Sequence, residues 1–207
     1  MDRWPNGGHA VAGARADQDD IDSLAARNAD GAALCAADRH KDAIPLFRRT
    51  LSGCRTLLGD DHIGTLTVAG NLAVACVVAG RKREGISLMA ANLADRVRVL
   101  GEDDPRTLTA CDALATAYRL TGNVDDAVEL SGQVTVRRRR VLGPDHPDTL
   151  VSRMGLALAQ AAAGGIESAL TLLAAAINDA EKALGPRHTH TMALIESGRN
   201  IGLVRNN

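Results

Sequence analysis

The sequence repeats itself with a fixed period of 42 residues. A short linker recurs as LGDDHIGTL from Leu58, LGEDDPRTL from Leu100, LGPDHPDTL from Leu142 and LGPRHTHTM from Leu184, with no insertion or deletion between copies. A constant period of this size is typical of solenoids, in which each supersecondary unit packs only on its neighbours. The repeat therefore constrains the fold more strongly than any local pattern does.

Each repeat contains start and stop signals for two helices. In the third repeat, Asp104 followed by Pro105 predicts a helix start, because a short acceptor caps free amides and proline at the first helical position loses no hydrogen bond. Gly122 predicts the end of this helix, since glycine adopts left-handed conformations without a Cβ clash. The third repeat is thus predicted to hold helix A over about 105–121 and helix B over about 124–141.

The whole chain is predicted to be all-α, with four A/B helix pairs and a final, polar helix that caps the open end. Residues 1–19 are expected to be disordered. Ala73, Ala115 and Ala157 recur at one helix A position, where a small side chain allows helix B to approach closely. The predicted repeats span about 20–58, 62–100, 104–142 and 146–184, and the terminal helix spans about 189–204.

A known family is visible in the linker at 142–150 and in the stretch LATAYRLTGNVDDAVEL at 114–130. Both resemble tetratricopeptide repeats, specifically the long variety found in kinesin light chains and in many bacterial multidomain regulators. The resemblance covers about residues 20–204 and implies a right-handed α-solenoid whose A helices line a concave groove and whose B helices form the convex surface. The positions that carry the family's packing side chains are Leu114, Ala115, Tyr118, Gly122 and Ala127.

The chain departs from the family pattern at several of these positions. The aromatic side chain at Tyr118 is replaced by Cys76 in the preceding repeat and by Gln160 in the next. The small residue at Ala127 becomes Gly85 in the second repeat. The core is therefore expected to be thinner than that of a consensus array.

The resemblance also implies which side chains face a partner, namely those on helix A that point away from helix B. Asn71 occupies a position at which family members often hold a peptide backbone, although it is equally well explained as a solvated groove residue. Met154 and Leu158 are equally compatible with ordinary packing between repeats. Family members that bind the C-terminal carboxylate of a chaperone tail place lysines in the groove. This groove contains Arg119 but no lysine, so binding of that type is not expected. The candidate groove residues are Asn28, Asn71, Val74, Asp112, Thr116, Arg119, Met154, Leu158, Glu196 and Asn200.

The run from Arg137 to Arg140 is a dense charge cluster near the end of a helix B. Cations there interact favourably with the helix dipole. Arg96 and Arg98 occupy the same columns one repeat earlier, which favours a role in the repeat architecture over a nucleic-acid site. The formal charge of −1 and an aromatic fraction of 1% also argue against nucleic-acid binding. The run is therefore expected to be solvated and structurally useful.

Histidines recur in the linkers but do not suggest a metal site. His62, His146 and His188 share one column, in which neighbouring helix pairs hold them too far apart for a common ion. His188 and His190 form a pair with no obvious third ligand. No nucleophilic triad, zinc-protease motif or phosphate loop is present. We expect no catalytic residue, no metal and no cofactor.

These patterns favour a non-catalytic scaffold that binds a protein or peptide segment in the concave groove. The alternative is a sensor of peptides or small ligands whose array changes curvature on binding. The sequence contains neither an apolar run of about 18 residues nor the apolar core of a signal peptide. A cytoplasmic protein without membrane or nucleic-acid partners is therefore expected.

Overall fold

The computed structural model describes the backbone of residues 14–205 and the side chains of residues 20–202. Of the segment predicted to be disordered, residues 1–13 lie outside the described residues, whereas residues 14–19 form the start of α1 instead. Within this part of the chain the structure is all-α and contains nine helices, as predicted. They are α1 (Ala14–Ala36), α2 (His40–Leu58), α3 (Ile63–Val78), α4 (Lys82–Leu100), α5 (Pro105–Thr121), α6 (Val124–Leu142), α7 (Pro147–Ala162), α8 (Ile166–Leu184) and α9 (Thr189–Arg205).

The chain divides into two compact units, Met1–Val99 and Leu100–Asn207, called unit 1 and unit 2 below. Unit 1 holds α1 to α4, and its buried core is built around Leu24, Ile44 and Phe47. Unit 2 holds α5 to α9, and its core includes Leu150 and Leu173. Within each unit, successive helices pack as hairpins, with the odd-numbered helices as A helices and the even-numbered ones as B helices. Each unit thus has the solenoid architecture that the repeat predicts.

Polar side chains from the linkers cap the A helices. The imidazole Nδ1 of His62 accepts a hydrogen bond from the backbone N–H of Gly64 at 3.0 Å. The carboxylate of Asp104 accepts from the N–H of Arg106 at 2.8 Å, as its position before Pro105 predicts. Each bond satisfies an amide that the first helical turn leaves free.

Glycines end the helices, but in two different conformations. Gly122 ends α5 in the left-handed region, with φ 92° and ψ 2°. Gly143 ends α6 with φ 93° and ψ 165°, an extended conformation at positive φ that essentially only glycine adopts. In the first repeat Asp38 stands in the corresponding A–B turn, with φ 58°. Glycine at the end of helix B is therefore required for an extended conformation at positive φ, whereas Gly122 at the end of helix A adopts the left-handed conformation.

Small residues bring each helix A close to its helix B. Ala73, Ala115 and Ala157 are all buried, in agreement with the packing role predicted for them. At Gly85, a Cβ atom would lie 2.9 Å from the carbonyl oxygen of Ala73 and 2.7 Å from the backbone nitrogen of Val77. The second repeat thus packs α4 against the α3 backbone so closely that no side chain fits at this position.

None of the helices in the part of the chain that the structure describes combines the length and apolar character needed to cross a membrane.

Candidate functional site

The predicted groove residues of unit 1 lie together on α1 and α3. The amide nitrogen Nδ2 of Asn71 donates to Oδ1 of Asn28 at 2.9 Å, which joins two neighbouring A helices. Both side chains are half-buried. The pair leaves the oxygen of one amide and the nitrogen of the other without a hydrogen-bond partner among the described residues. These groups form a matched acceptor and donor at the surface.

The surface beside this amide pair is apolar. Helix α3 contains no Asp, Glu, Lys or Arg, and Val74 and Val78 expose 40% and 54% of their surface. Asn71, Val74 and Val78 are spaced three and four residues apart, so they share one helix face. We call this set of Asn28, Asn71, Val74 and Val78 the unit 1 groove face. Val78 was not among the residues predicted from the sequence, although it lies one turn beyond Val74.

In unit 2, the predicted groove residue Asp112 belongs to a network that joins three helices. Its Oδ2 lies 2.9 Å from Nη1 of Arg138 on α6, and its carboxylate accepts from the hydroxyl of Ser152 on α7 at 3.0 Å. Burial raises the pKa of Asp112, and the positive charge of Arg138 opposes this effect. The carboxylate is thus already paired within unit 2.

The burial of Arg138 corrects the prediction that the whole arginine run is solvated. Arg138 is 4% exposed. Besides Asp112, its guanidinium donates to the backbone carbonyl of Asp148 at 2.8 Å and to the hydroxyl of Thr109 at 3.2 Å. Arg96, in the same column of the second repeat, is also buried and donates to the carbonyl of Leu66 at 3.1 Å. These arginines bind backbone and side-chain oxygens of A helices inside the array.

The neighbouring arginines form repeated ion pairs with the linker acids. Arg98 binds the two carboxylate oxygens of Asp61 at 2.9 and 2.5 Å, and the hydrogen bonds from Arg98 lower the pKa of Asp61. One repeat later, Arg140 binds Asp103 at 2.6 Å. Each pair ties the end of a helix B to the linker at the start of its own repeat. The repeated columns therefore have the architectural role that the sequence favoured.

The other predicted groove residues of unit 2 differ in how they are exposed. Met154 and Leu158 are half-buried and pack against the core of unit 2, as the packing alternative expects. Thr116 is exposed, whereas Arg119 is half-buried and has no ion-pair partner among the described residues. Leu120, 42 residues after Val78, is 57% exposed and was missed in the sequence, although the repeat register connects the two positions.

On α9, Glu196 and Asn200 are exposed, and Glu196 lies 3.8 Å from Arg199. This separation gives at most a weak surface ion pair. The exposed Met192 lies in the first turn of the same helix and was also missed. The terminal helix therefore presents a mixed polar and apolar surface.

The linker histidines His62, His146 and His188 act as caps. His146 accepts from the N–H of Asp148 at 3.1 Å, and His188 accepts from the N–H of His190 at 3.3 Å. Between residues 20 and 202, no three His, Cys, Asp or Glu side chains come together in a group that could hold a metal ion. The recurring linker histidine has a structural explanation in the start of each helix A.

Comparison with known proteins identifies the repeats. Models of the tetratricopeptide repeat match residues 22–87, 107–148 and 149–190. No curated protein matches the chain significantly in sequence.

Several solved structures share the fold. A Podosopora anserina protein, assigned as a kinesin light chain with nearly identical TPR-like repeats, superposes with a TM-score of 0.76 at 24% identity over 89% of this chain and 87% of that one. A variant of the same protein gives a TM-score of 0.77 with the same identity and coverage. BtubC (BKLC) from P. vanneervenii superposes with a TM-score of 0.70 at 17% identity, over 80% of this chain and 65% of that one.

The matched models cover most of the chain, and the matches at 107–148 and 149–190 each span one 42-residue period. Tetratricopeptide repeats are in general scaffolds for protein–protein interaction. The chain belongs to the tetratricopeptide-repeat family, and it has the fold of the kinesin-light-chain-like repeat arrays.

Proposed function

We propose that the chain is a non-catalytic, cytoplasmic scaffold that binds an extended peptide or a protein segment on the unit 1 groove face. The observation that carries this proposal is the Asn28–Asn71 amide pair at the edge of an uncharged helix. The family's general role in protein–protein interaction supports the same class of function.

The amide pair matches the hydrogen-bonding groups of a peptide backbone. Each peptide unit offers one N–H donor and one C=O acceptor, and both require partners when a segment is buried at an interface. Asn71 and Asn28 together present an amide oxygen and an amide nitrogen that have no hydrogen-bond partner among the described residues, and the bond between the two side chains holds both groups in place. Such a pair would hold a backbone independently of the side chains of the partner.

The valines next to the pair would supply the apolar part of the contact. Val74 and Val78 are exposed, and no charged residue of α3 lies beside them to be desolvated. Covering these side chains would remove apolar surface from water, which is favourable. We therefore expect partners that place an apolar side chain beside the backbone segment held by the asparagines.

In unit 2, Thr116 and Arg119 remain candidates for a second contact. Arg119 has no ion-pair partner among the described residues, so it can pair with a carboxylate of a segment that binds to unit 2. Asp112 is a weaker candidate, because Arg138 and Ser152 already occupy its carboxylate. Substitution of Arg119 by Glu should therefore weaken binding only for partners that reach unit 2.

The test is a selection of peptides on the parent protein, followed by calorimetric affinities for the selected peptides. Asn71→Ala is expected to weaken binding by about tenfold, because the loss of the amide leaves backbone groups unpaired at the interface. Asn178→Ala, on the exposed side of α8, is the matched control and should bind like the parent. Equal affinities for the two variants would contradict the proposal.

A further inference from the structure

Unit 1 places cations where the helix dipole disfavours them. Lys82 and Arg83 are the first two residues of α4, and Lys41 is the second residue of α2. All three side chains are exposed and have no ion-pair partner in the described part of the chain. The start of a helix bears a partial positive charge, so cations at these positions raise the energy of the fold.

Unit 2 has the opposite charge at the same repeat position. Counting 42 residues at a time from Lys41 leads to Arg83, then to Asp125 and Glu167. Asp125 and Glu167 lie in the first turns of α6 and α8, where the dipole favours acids. The repeat therefore accepts acidic residues at this position, and the fold does not require the cations of unit 1. Charges that oppose local stability are expected where a function needs them.

Further arginines lie next to the start of α4. Arg48 on α2 and Arg81 in the turn before α4 both contact the carboxylate of Glu84, with Arg81 at 3.7 Å from Oε2. Arg49, beside Arg48 in the sequence, is exposed and has no ion-pair partner among the described residues. We call Arg48, Arg49, Arg81, Lys82 and Arg83 the cationic patch. The carboxylate of Glu84 is shared between two arginines of this patch.

We propose that the cationic patch binds an acidic protein segment, at a surface separate from the groove face. The contact with Glu84 shows that Arg48 and Arg81 converge on one carboxylate, the group that Asp and Glu residues of a partner would supply. The patch lies on α2 and at the start of α4, which are B helices, whereas the groove face lies on the A helices α1 and α3. The array thus has a second binding surface of different chemistry.

The side chains around the patch favour a protein segment over a nucleic acid. Single strands bind proteins by stacking bases on aromatic side chains. Phe47, the aromatic residue of α2, is buried in the core of unit 1 with 1% exposure. The patch therefore offers charge but no stacking surface.

The test measures binding of a fluorescein-labelled oligoglutamate peptide by fluorescence anisotropy. The parent protein should bind it at low ionic strength and lose affinity towards about 0.15 M salt, since exposed charges are screened. Lys82→Glu/Arg83→Glu should bind at least about tenfold more weakly, because like charges then face the peptide. The same double variant should melt at the same or a higher temperature, since acids at the start of α4 complement the dipole.

The matched control is Arg139→Glu/Arg187→Glu in unit 2, which changes the net charge by the same amount at two exposed arginines that have no ion-pair partner among residues 20–202. It should bind oligoglutamate within about twofold of the parent, because only local charge matters under screening. Asn71→Ala should also bind normally, which separates this surface from the groove face.

Three results would overturn the proposal. The first is an equal loss of oligoglutamate affinity in the two charge-reversal variants, which would mean that net charge alone attracts the peptide. The second is the absence of salt-sensitive binding by the parent. The third is tighter binding of a single-stranded oligonucleotide than of oligoglutamate, together with loss of the oligonucleotide binding in Lys82→Glu/Arg83→Glu. This result would assign the patch to nucleic acid.

Discussion

Replacing Arg138 by alanine should destabilise unit 2 strongly, because it leaves the carboxylate of Asp112 without its positive partner. The side chains of Arg138 and Asp112 are only 5% and 23% exposed. Removing one member of a buried ion pair costs about 3–5 kcal/mol. Asp112 keeps its hydrogen bond from Ser152 and some contact with water, so we expect the lower end, about 3 kcal/mol.

The loss should depend on pH in a defined direction. Burial already raises the pKa of Asp112, and removal of Arg138 removes the charge that opposes this rise. A carboxyl group whose pKa is higher in the folded state favours folding at low pH, and this contribution is lost as the pH rises through the folded pKa. Arg138→Ala should therefore be less destabilised near about pH 5 than near about pH 8.

The fourth repeat indicates which residues can replace the ion pair of Arg138 and Asp112 so that stability is recovered. Met154 and Ala180 lie 42 residues after Asp112 and Arg138, and both belong to the apolar packing of unit 2. Asp112→Met/Arg138→Ala replaces the pair by these residues and leaves no buried charge unpaired. Well-packed apolar replacements of buried pairs are often neutral or better, so the double variant should recover at least about half of the loss.

Urea unfolding followed by circular dichroism at the two pH values measures these differences. Arg139→Ala is the control, since Arg139 is exposed and should change stability by less than about 0.5 kcal/mol. The reasoning is refuted if Arg138→Ala is no less stable than this control. It is also refuted if the double variant is as unstable as Arg138→Ala, because the cost would then come from lost packing and not from the unpaired carboxylate.

Three further predictions concern the helix contacts. Gly85→Ala should lower the free energy of unfolding by roughly 1–3 kcal/mol, because the added Cβ would meet the backbone of Val77. Gly132→Ala has open space around the added Cβ and should raise the free energy of unfolding by about 0.5–1 kcal/mol, and thermal melts measure both changes. Ala115→Leu should lose roughly 1–3 kcal/mol by overpacking, and an unchanged melt would contradict its buried contact with helix B. Burial lowers the pKa of His62, so acidification below about pH 6.5 favours the unfolded chain. His62→Asn keeps a capping side chain that does not titrate, so the variant should lose less stability on acidification than the parent. Equal pH profiles of stability for the variant and the parent would show that His62 does not contribute to this loss.

The repeat register made most of the fold predictable. Helices A and B of the third repeat were expected at about 105–121 and 124–141, and they are observed as Pro105–Thr121 and Val124–Leu142. The signals were local, since caps, proline and glycine act within a few residues of a helix end. Because the period is fixed, the helix boundaries found in one repeat predict those of the next repeat.

The buried arginines were missed because four consecutive cations are typical of a solvated surface. Charged side chains are almost never fully buried unless they are paired. The signal was in the repeat column, because Arg96 and Arg138 stand between Cys54 and Ala180, which are small and buried. A charged residue in a column of small buried residues indicates a buried cation whose partners lie on the neighbouring helix.

The amide pair could not be found from the repeat alone. Asn28 and Asn71 are separated by 43 residues, so alignment at a period of 42 places them in different columns. Their contact depends on how α1 packs against α3, which the sequence does not specify to the accuracy of a hydrogen bond. The exposure of Val78 and Leu120 likewise depends on side-chain packing that the repeat pattern does not specify.

The most direct test of the groove proposal is photo-crosslinking with a selected peptide that contains a photoreactive residue. Mass spectrometry of the crosslinked protein then identifies the residues that the peptide contacts. We predict crosslinks on α1 and α3, near Asn28, Asn71 and Val74, and their loss in Asn71→Ala. Crosslinks confined to the B helices α2 and α4, retained in Asn71→Ala, would contradict the account and place the binding surface on the opposite side of the helix pairs.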